Sequence, residues 1–129
     1  GQLVAVVSGR PFEDFLREEI FEPLRMSDTA FFVPAEKRDR FAANYGPAPG
    51  GGLALVDAPK TSRYLEPPAF PSGAGGLVST IDDYLRFAEM LRRGGELEGV
   101  RLLSRKSVEL MTTNHLTDEE RDVPMLTDW

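Results

Sequence analysis

The serines and lysines of the chain are the side chains best suited to covalent catalysis. A serine nucleophile needs a base within reach, and a lysine one helical turn later (Ser-x-x-Lys) supplies one. Three lysines are present, and the residues three positions before them are Pro34, Asp57 and Leu103. A Gly-x-Ser-x-Gly turn is also absent, since Ser72 has Phe70 and Ala74 at the glycine positions. The sequence therefore carries neither of these two serine-nucleophile patterns.

One run of small residues is a candidate binding element. It consists of Ser72, Gly73, Ala74, Gly75 and Gly76, and it precedes a segment with a helix-capping pattern. Small residues allow a ligand or another stretch of backbone to approach closely. The run predicts either the wall of a substrate cleft or a tight turn entering a helix, and the residues alone favour the turn.

The other ionisable residues favour surface roles. Adjacent carboxylates occur at 13–14, 18–19 and 82–83. Neighbours on a helix point about 100° apart, so we expect solvated helix faces there rather than a two-carboxylate site. The single histidine, His115, has no evident partner for general-base chemistry and argues against a histidine metal site. Because cysteine is absent as well, thiolate sites are excluded, and we expect neither a metal nor a cofactor.

Composition narrows the class of protein. The chain has 129 residues, 15 basic and 21 acidic, and a net charge of −6. Length and hydrophobic content are those of one globular domain. The acidic balance argues against a nucleic-acid partner, because such proteins usually carry a basic patch. The longest apolar runs are far shorter than the ~20 residues of a membrane-spanning helix, so no membrane partner is expected.

The first third of the chain predicts helices with short extended pieces. Residues 3–7 are apolar and rich in valine, which by propensity alone favours a strand. Pro11 suits the first position of a helix, and Pro23 ends it. Short strands are predicted at 30–33 and 53–56, with a helical turn near residues 34–40 between them.

Glycines, prolines and helix-capping residues mark the element boundaries in the rest of the chain. The chain has 12 glycines and 10 prolines, and 13 of these 22 residues fall between residues 46 and 76. This concentration predicts a long loop-rich region. Thr80 is predicted to cap a helix, with Asp83 reaching back to complete a capping box. Glu98-Gly99 predicts a tight turn, and Ser104 predicts the cap of a last helix. Residues 117–129 form an acidic tail.

The helix after Thr80 has a clear apolar pattern. Helical spacing places five apolar residues on one face: Ile81, Tyr84, Leu85, Ala88 and Leu91. This pattern predicts a buried face with Leu85 at its centre. On that interpretation, Leu85→Asp would bury an unpaired charge and unfold the chain.

Several ordered motifs together resemble one known family. The motifs are Val7-Ser8-Gly9-Arg10-Pro11-Phe12 followed by Phe15-Leu16, then Ile20-Phe21-Glu22-Pro23-Leu24-Arg25-Met26-Ser27-Asp28-Thr29, then Gly75-Gly76-Leu77-Val78-Ser79-Thr80 with Asp83, then Gly94-Gly95-Glu96-Leu97, and finally Leu103-Ser104 with Leu110-Met111. Their order is similar to the middle of the serine β-lactamase and penicillin-binding-protein-like hydrolases, with class C β-lactamases and family VIII esterases as the nearest branch. The resemblance covers roughly residues 2–116.

The resemblance implies a fold class and a role. The fold would be α+β but mainly α, a helical subdomain with a long Gly/Pro-rich loop and short strands, so that residues 1–129 form one partial domain of a β-lactamase/transpeptidase-like fold. Residues 72–76 would line one edge of the cleft. The family's catalytic motifs (Ser-x-x-Lys, Tyr-x-Asn and Lys/His-x-Gly) would lie outside the chain, so that the chain alone would be inactive on the small-molecule esters or amides of its parent.

Two positions depart from what the resemblance or local propensity would favour. The family usually has glycine where this chain has Arg25, so a left-handed turn there would strain the arginine. The resemblance also makes residues 3–7 the end of a helix, against their strand propensity, and we adopt the helix.

A second hypothesis is a free-standing helical module that binds a protein partner without catalysis. It predicts a closed surface and a monomer. A partial domain would instead expose apolar faces, residues 3–7 among them, and would tend to self-associate. Neither hypothesis fixes the cellular compartment.

Overall fold

Two short helices open the fold. The computed structural model describes residues 1–121. Helix α1 (Gln2–Ser8) ends at Gly9, whose φ of 68° is left-handed and whose N–H donates to Ala5 O at 2.9 Å. Helix α2 (Phe12–Leu16) starts after Pro11, which is the N-cap rather than the first helical residue. The helical assignment of residues 3–7 is therefore confirmed, against their strand propensity.

The second helix ends in a wide π-helical turn, and Arg25 just beyond it is strained. Helix α2 continues into a π-helical turn (Arg17–Phe21), and the N–H of Met26 donates to Phe21 O at 2.8 Å. This closure places Arg25 at a φ of 56°, so the turn does need a left-handed residue at the position where the family usually has glycine. A left-handed conformation costs a residue with a Cβ atom roughly 1–2 kcal/mol.

Arg25→Gly should stabilise the protein by about 1 kcal/mol, because glycine adopts this φ without a Cβ clash. Among residues 1–121, the only ion pair lost joins Arg25 to Glu98 at 3.5 Å between exposed side chains, which contributes little. Urea unfolding followed by circular dichroism measures the gain. Arg25→Ala is the control: it removes the same ion pair but keeps Cβ, and a gain equal to that of glycine would exclude strain as the cause.

The middle of the chain is only partly loop. A 3-10 helix (Ala35–Arg40) is followed by strands β1 (Asn44–Pro47) and β2 (Leu53–Asp57), which form an antiparallel hairpin, and by a second 3-10 helix (Arg63–Leu65). The predicted strand at 53–56 is confirmed. The one predicted at 30–33 is reduced to a single antiparallel bridge between Ala30 and Val78, and the backbone bond of Val33 goes to a different segment, at Tyr64.

The second half follows its local signals closely. Helix α3 (Ile81–Arg92) begins at Thr80, whose hydroxyl accepts the Asp83 N–H at 3.2 Å. Strands β3 (Glu96–Leu97) and β4 (Val100–Arg101) flank the predicted Glu98-Gly99 turn. Helix α4 (Arg105–Thr112) is capped by Ser104, and a short helix α5 (Asp118–Arg121) follows. The part of the predicted acidic tail beyond residue 121 lies outside the described residues.

The core is small and joins the first helices to α3 and β3. Its buried members are Phe21, Leu24, Met26, Met90 and Leu97. Half-buried side chains from α2, the π turn, α3 and the segment after β4 surround them: Leu16, Ile20, Phe87, Leu91 and Leu102. The side chain of Arg86 caps this core at the surface, since its Nε donates to Leu24 O.

The predicted buried face of α3 is wrong. Ile81, Tyr84 and Leu85 are 87%, 67% and 61% exposed, whereas Asp83 and Met90 are the buried residues of the helix. Leu85→Asp is therefore not expected to unfold this chain, because the new carboxylate would meet water. Leu3, Val6 and Val7 on α1 are exposed as well. In the described residues, no helix is long and apolar enough to cross a membrane.

Candidate functional site

The 72–76 segment lines an open groove of about 550 Å³. Ser72, Ala74, Gly75 and Gly76 all face it, together with side chains from two other parts of the chain. These are Phe31, Arg63, Tyr64, Pro68 and Phe70. Small residues thus form one side of the groove, and three aromatic rings with a proline form much of the rest.

The backbone explains why this segment is built from small residues. Ser72 Oγ accepts the Ala74 N–H at 3.1 Å, which folds the segment into a turn. Gly76 has a φ of 104°, a conformation that strains any residue with Cβ. A Cβ on Gly73 would lie 2.4 Å from the Gly1 nitrogen, so the amino-terminal residue packs directly against the turn.

The opposite wall is carried by the second 3-10 helix. Ser62 begins that helix: its hydroxyl donates to Asp57 at 2.6 Å and accepts the Tyr64 N–H at 3.1 Å. Tyr64 O in turn accepts the Val33 N–H at 2.7 Å. The Arg63 guanidinium lies 4.9 Å from the Tyr64 ring and donates to its hydroxyl at 3.0 Å.

A buried polar network holds the segment that follows the groove. The Asp83 carboxylate accepts the Asp28 N–H at 2.7 Å and the Thr29 hydroxyl at 2.9 Å, and the Thr29 and Ser79 hydroxyls lie 2.8 Å apart. Asp83 is 6% exposed. Two predictions for this residue are therefore wrong: its carboxylate does not complete a capping box, and it does not lie on a solvated face. Its partners are about 55 residues earlier in the chain, where no local pattern points to them.

The backbone bridge beside this network fixes where the groove edge lies. Ala30 and Val78 exchange two hydrogen bonds, at 3.1 and 2.8 Å. Val78 lies two residues after Gly76, so this pairing fixes the end of the 72–76 segment against Ala30. The Asp83 network holds the same two parts of the chain together through Asp28 and Thr29. Phe31, the next residue, then lies in the groove wall.

Asp28 lies at the centre of a surface charge cluster. Arg40 and Lys37 donate to its two carboxylate oxygens at 2.7 and 2.8 Å. These hydrogen bonds lower the pKa of Asp28 to about 2, and the bond from Arg40 has the largest effect. Both cations lie on or beside a smaller cavity of about 110 Å³ between the first 3-10 helix and Val78.

The Asp28 cluster should make stability depend on pH. A carboxylate with a depressed pKa stabilises the fold above its unfolded value of about 3.9, and the contribution is lost as the pH falls towards 2. Asp28→Asn should therefore cost about 1–2 kcal/mol at pH 6 and almost nothing at pH 2. Urea unfolding at a series of pH values measures this, with the exposed Glu36→Gln as control. A cost for Asp28→Asn that is the same at both pH values would contradict the assignment.

The remaining candidates lie apart from the groove. Glu18 and Glu19 pair with Arg10 at 2.8 and 2.7 Å on the surface, as expected for a solvated face. His115 is exposed and its Nε2 lies 2.7 Å from Leu110 O, just past α4. In the described part of the chain, no group of three or more metal-ligating side chains comes together.

Sequence reasoning missed two features of the groove. Arg63 and Tyr64 follow Ser62 in a run with a Ser cap, a signal that places a short helix but not the direction of its side chains. Thr29 follows Asp28 directly, and Asp83 lies three residues after Thr80. Polar residues in two such distant segments are only a weak signal that their side chains meet in a buried network.

Comparisons with known proteins agree on one family. The beta-lactamase family model matches residues 1–129. Protein Rv1367c of Mycobacterium tuberculosis is 38% identical over 94% of this chain, and Esterase EstB of Burkholderia gladioli is 35% identical over 71% of it. The octameric penicillin-binding protein homologue from Pyrococcus abyssi superposes with a TM-score of 0.61 and 25% identity over 88% of this chain.

The matches cover a limited share of these proteins. The chain spans 30% of the Mycobacterium tuberculosis protein and 26% of the esterase. It spans 23% of the Pyrococcus abyssi structure. The fold combines helices and strands in an arrangement that the Pyrococcus abyssi structure shares. On the match of its whole length to the family model, the chain belongs to the beta-lactamase family.

Proposed function

We propose that the chain is one segment, the largely helical subdomain, of a β-lactamase-like serine hydrolase, and that residues 72–76 form one edge of its substrate cleft. The observation that carries this proposal is the groove of about 550 Å³, whose one side is the small-residue segment. A wall of small residues lets a planar ester or amide lie against the backbone. The esterase among the relatives supports an ester substrate.

The reaction of the whole protein would run through an acyl-enzyme. A serine hydroxyl attacks the ester or amide carbonyl, the alcohol or amine leaves with a proton, and water hydrolyses the acyl-serine. This segment would supply none of those reacting groups. Its part is to bind and orient the substrate between the 72–76 segment and the aromatic wall, and to exclude water there.

The exposed apolar surface supports a partial domain over a free-standing binding module. A closed module should cover Ile81, Tyr84 and Leu85, yet these side chains are largely exposed. In the whole protein, the surface would pack against the remaining chain. By itself the 129-residue chain would then self-associate, and size-exclusion chromatography at rising concentration measures this. A monomer at high concentration would instead favour the module.

Two assays test the hydrolase proposal. The purified chain should not turn over a p-nitrophenyl ester or a chromogenic β-lactam; turnover that a serine-directed acylating agent abolishes would contradict the role assigned to it. The second assay replaces the matching segment of the Burkholderia gladioli esterase with this chain. Ester hydrolysis should persist, and Ala74→Trp should raise KM by about tenfold by narrowing the cleft. Lys106→Trp, on the outer surface of α4, is the matched control and should leave KM unchanged.

A further inference from the structure

The groove contains one charged side chain, among the described residues that line it. Arg63 lines the groove together with apolar or uncharged residues, among them Phe31, Phe70 and the small residues of the 72–76 segment. A single cation in a mostly apolar cavity is the arrangement with which proteins select an anionic ligand with an apolar body.

The position of Arg63 is defined by its neighbour. Its guanidinium stacks on the Tyr64 ring at 4.9 Å and donates to the Tyr64 hydroxyl at 3.0 Å. The Tyr64 ring also packs edge-on against Phe41, with centroids 6.4 Å apart, and its backbone is bonded to Ser62 and Val33. The guanidinium is therefore oriented before any ligand arrives, which reduces the entropy lost on binding.

The side chain that orients Arg63 carries no opposite charge, and Asp57, a carboxylate that acts on Arg63 through space, is hydrogen-bonded to the Ser62 hydroxyl. The orienting side chain is a phenol, whereas Arg38 and Arg40 are each bonded to a carboxylate, Glu66 and Asp28. A guanidinium has five N–H donors, and the bond to Tyr64 uses one of them. The others can form a two-pronged pair with a carboxylate.

We propose that Arg63 selects substrates carrying a free carboxylate, so that the groove binds an anionic ester or amide with an apolar body. This inference rests on the proposed function, since it assigns the substrate class of that same cleft. The carboxylate meets Arg63, and the apolar part lies against Phe31 and Phe70. Arg63 is a specificity-determining residue here and takes no part in bond breaking.

The test compares a charged ligand with a neutral one of the same shape. The ¹⁵N-labelled 129-residue chain, at a concentration where size-exclusion chromatography shows a monomer, is titrated with 4-phenylbutyrate or 4-phenylbutyramide. Binding is followed by NMR shifts of the amides of residues 72–76. The carboxylate should bind about tenfold more tightly. Arg63→Gln should remove that preference, and Arg63 is exposed, so the variant should fold. Lys60→Gln removes an equally exposed cation three residues earlier and should change nothing.

The possible results of the titration separate the role of Arg63 from that of the groove. A preference for the carboxylate that Arg63→Gln abolishes and Lys60→Gln retains supports the inference. Equal binding of both ligands, or equal weakening by the two variants, overturns the role of Arg63 while leaving the groove as a cleft. Absence of shifts at residues 72–76 with either ligand overturns this inference and the cleft edge together. Loss of hydrolysis in the esterase chimera, with carboxylate binding intact, counts against the hydrolase proposal alone.

Discussion

Gly95→Ala should destabilise the fold severely. A Cβ at this position would lie 2.2 Å from Leu103 O and 2.8 Å from its carbonyl carbon. The backbone cannot move away easily, because Gly95 O accepts the N–H groups of Leu102 and Leu103 at 2.9 and 3.2 Å. Gly95 also has a φ of 93°. Strain and overlap together should cost about 2–5 kcal/mol, a large part of the stability of a small domain.

Gly99→Ala separates the two causes of that loss. Gly99 has a similar φ of 83°, but a Cβ there would meet nothing within 4 Å. It should therefore show only the conformational cost of about 1–2 kcal/mol. Circular dichroism of both variants in urea measures the difference. Equal losses for Gly95→Ala and Gly99→Ala would mean that the contact with Leu103 is relieved at no cost.

Asp83→Ala should destabilise the fold by about 3 kcal/mol. It removes the acceptor of two hydrogen bonds, from the Asp28 N–H and the Thr29 hydroxyl, and it leaves those donors inside the protein. A hydrogen bond to a charged group contributes about 1.5–3 kcal/mol, and an unsatisfied buried donor costs a comparable amount. The change should also alter the NMR shifts of residues 72–76, because the network anchors the chain just after them.

Asp82→Ala is the matched control for Asp83. The two residues are adjacent in the first turn of α3, but Asp82 is exposed, so its loss should cost only about 0.5 kcal/mol through the helix dipole. Thr29→Val combined with Asp83→Ala should cost less than the sum of the single changes, because both remove the same bond. If Asp82→Ala and Asp83→Ala were equally costly, the buried network would not be the source of the stability.

Local sequence signals predicted where the helices and strands lie, whereas contacts between distant parts of the chain determine which side chains are buried. Thr80 and Ser104 cap their helices as expected, because a cap involves residues two or three positions apart. The burial of Asp83 was not predicted, since its partners lie about 55 residues away. The exposure of Leu85 was missed for a different reason. Periodicity shows that a helix has an apolar face, but it does not show whether this chain supplies the surface that covers it.

The candidate site divides in the same way. The run from Ser72 to Gly76 could be selected from the sequence because five small residues in succession are conspicuous by themselves. Arg63 could not be selected, since a lone arginine in a proline-rich region has no spacing to interpret. Only the fold shows that the ring of Tyr64 holds this arginine beside the run.

The bond between Thr29 and Ser79 has a kinetic consequence. These hydroxyls are 50 residues apart in the chain, and closing a loop of that length costs entropy before any contact repays it. The core closes an even longer loop, since Phe21 and Met90 belong to one buried cluster. The groove edge and the core therefore both depend on contacts between distant parts of the chain. Ligand binding at residues 72–76 thus reports that these distant contacts have formed, which helix content alone would not reveal.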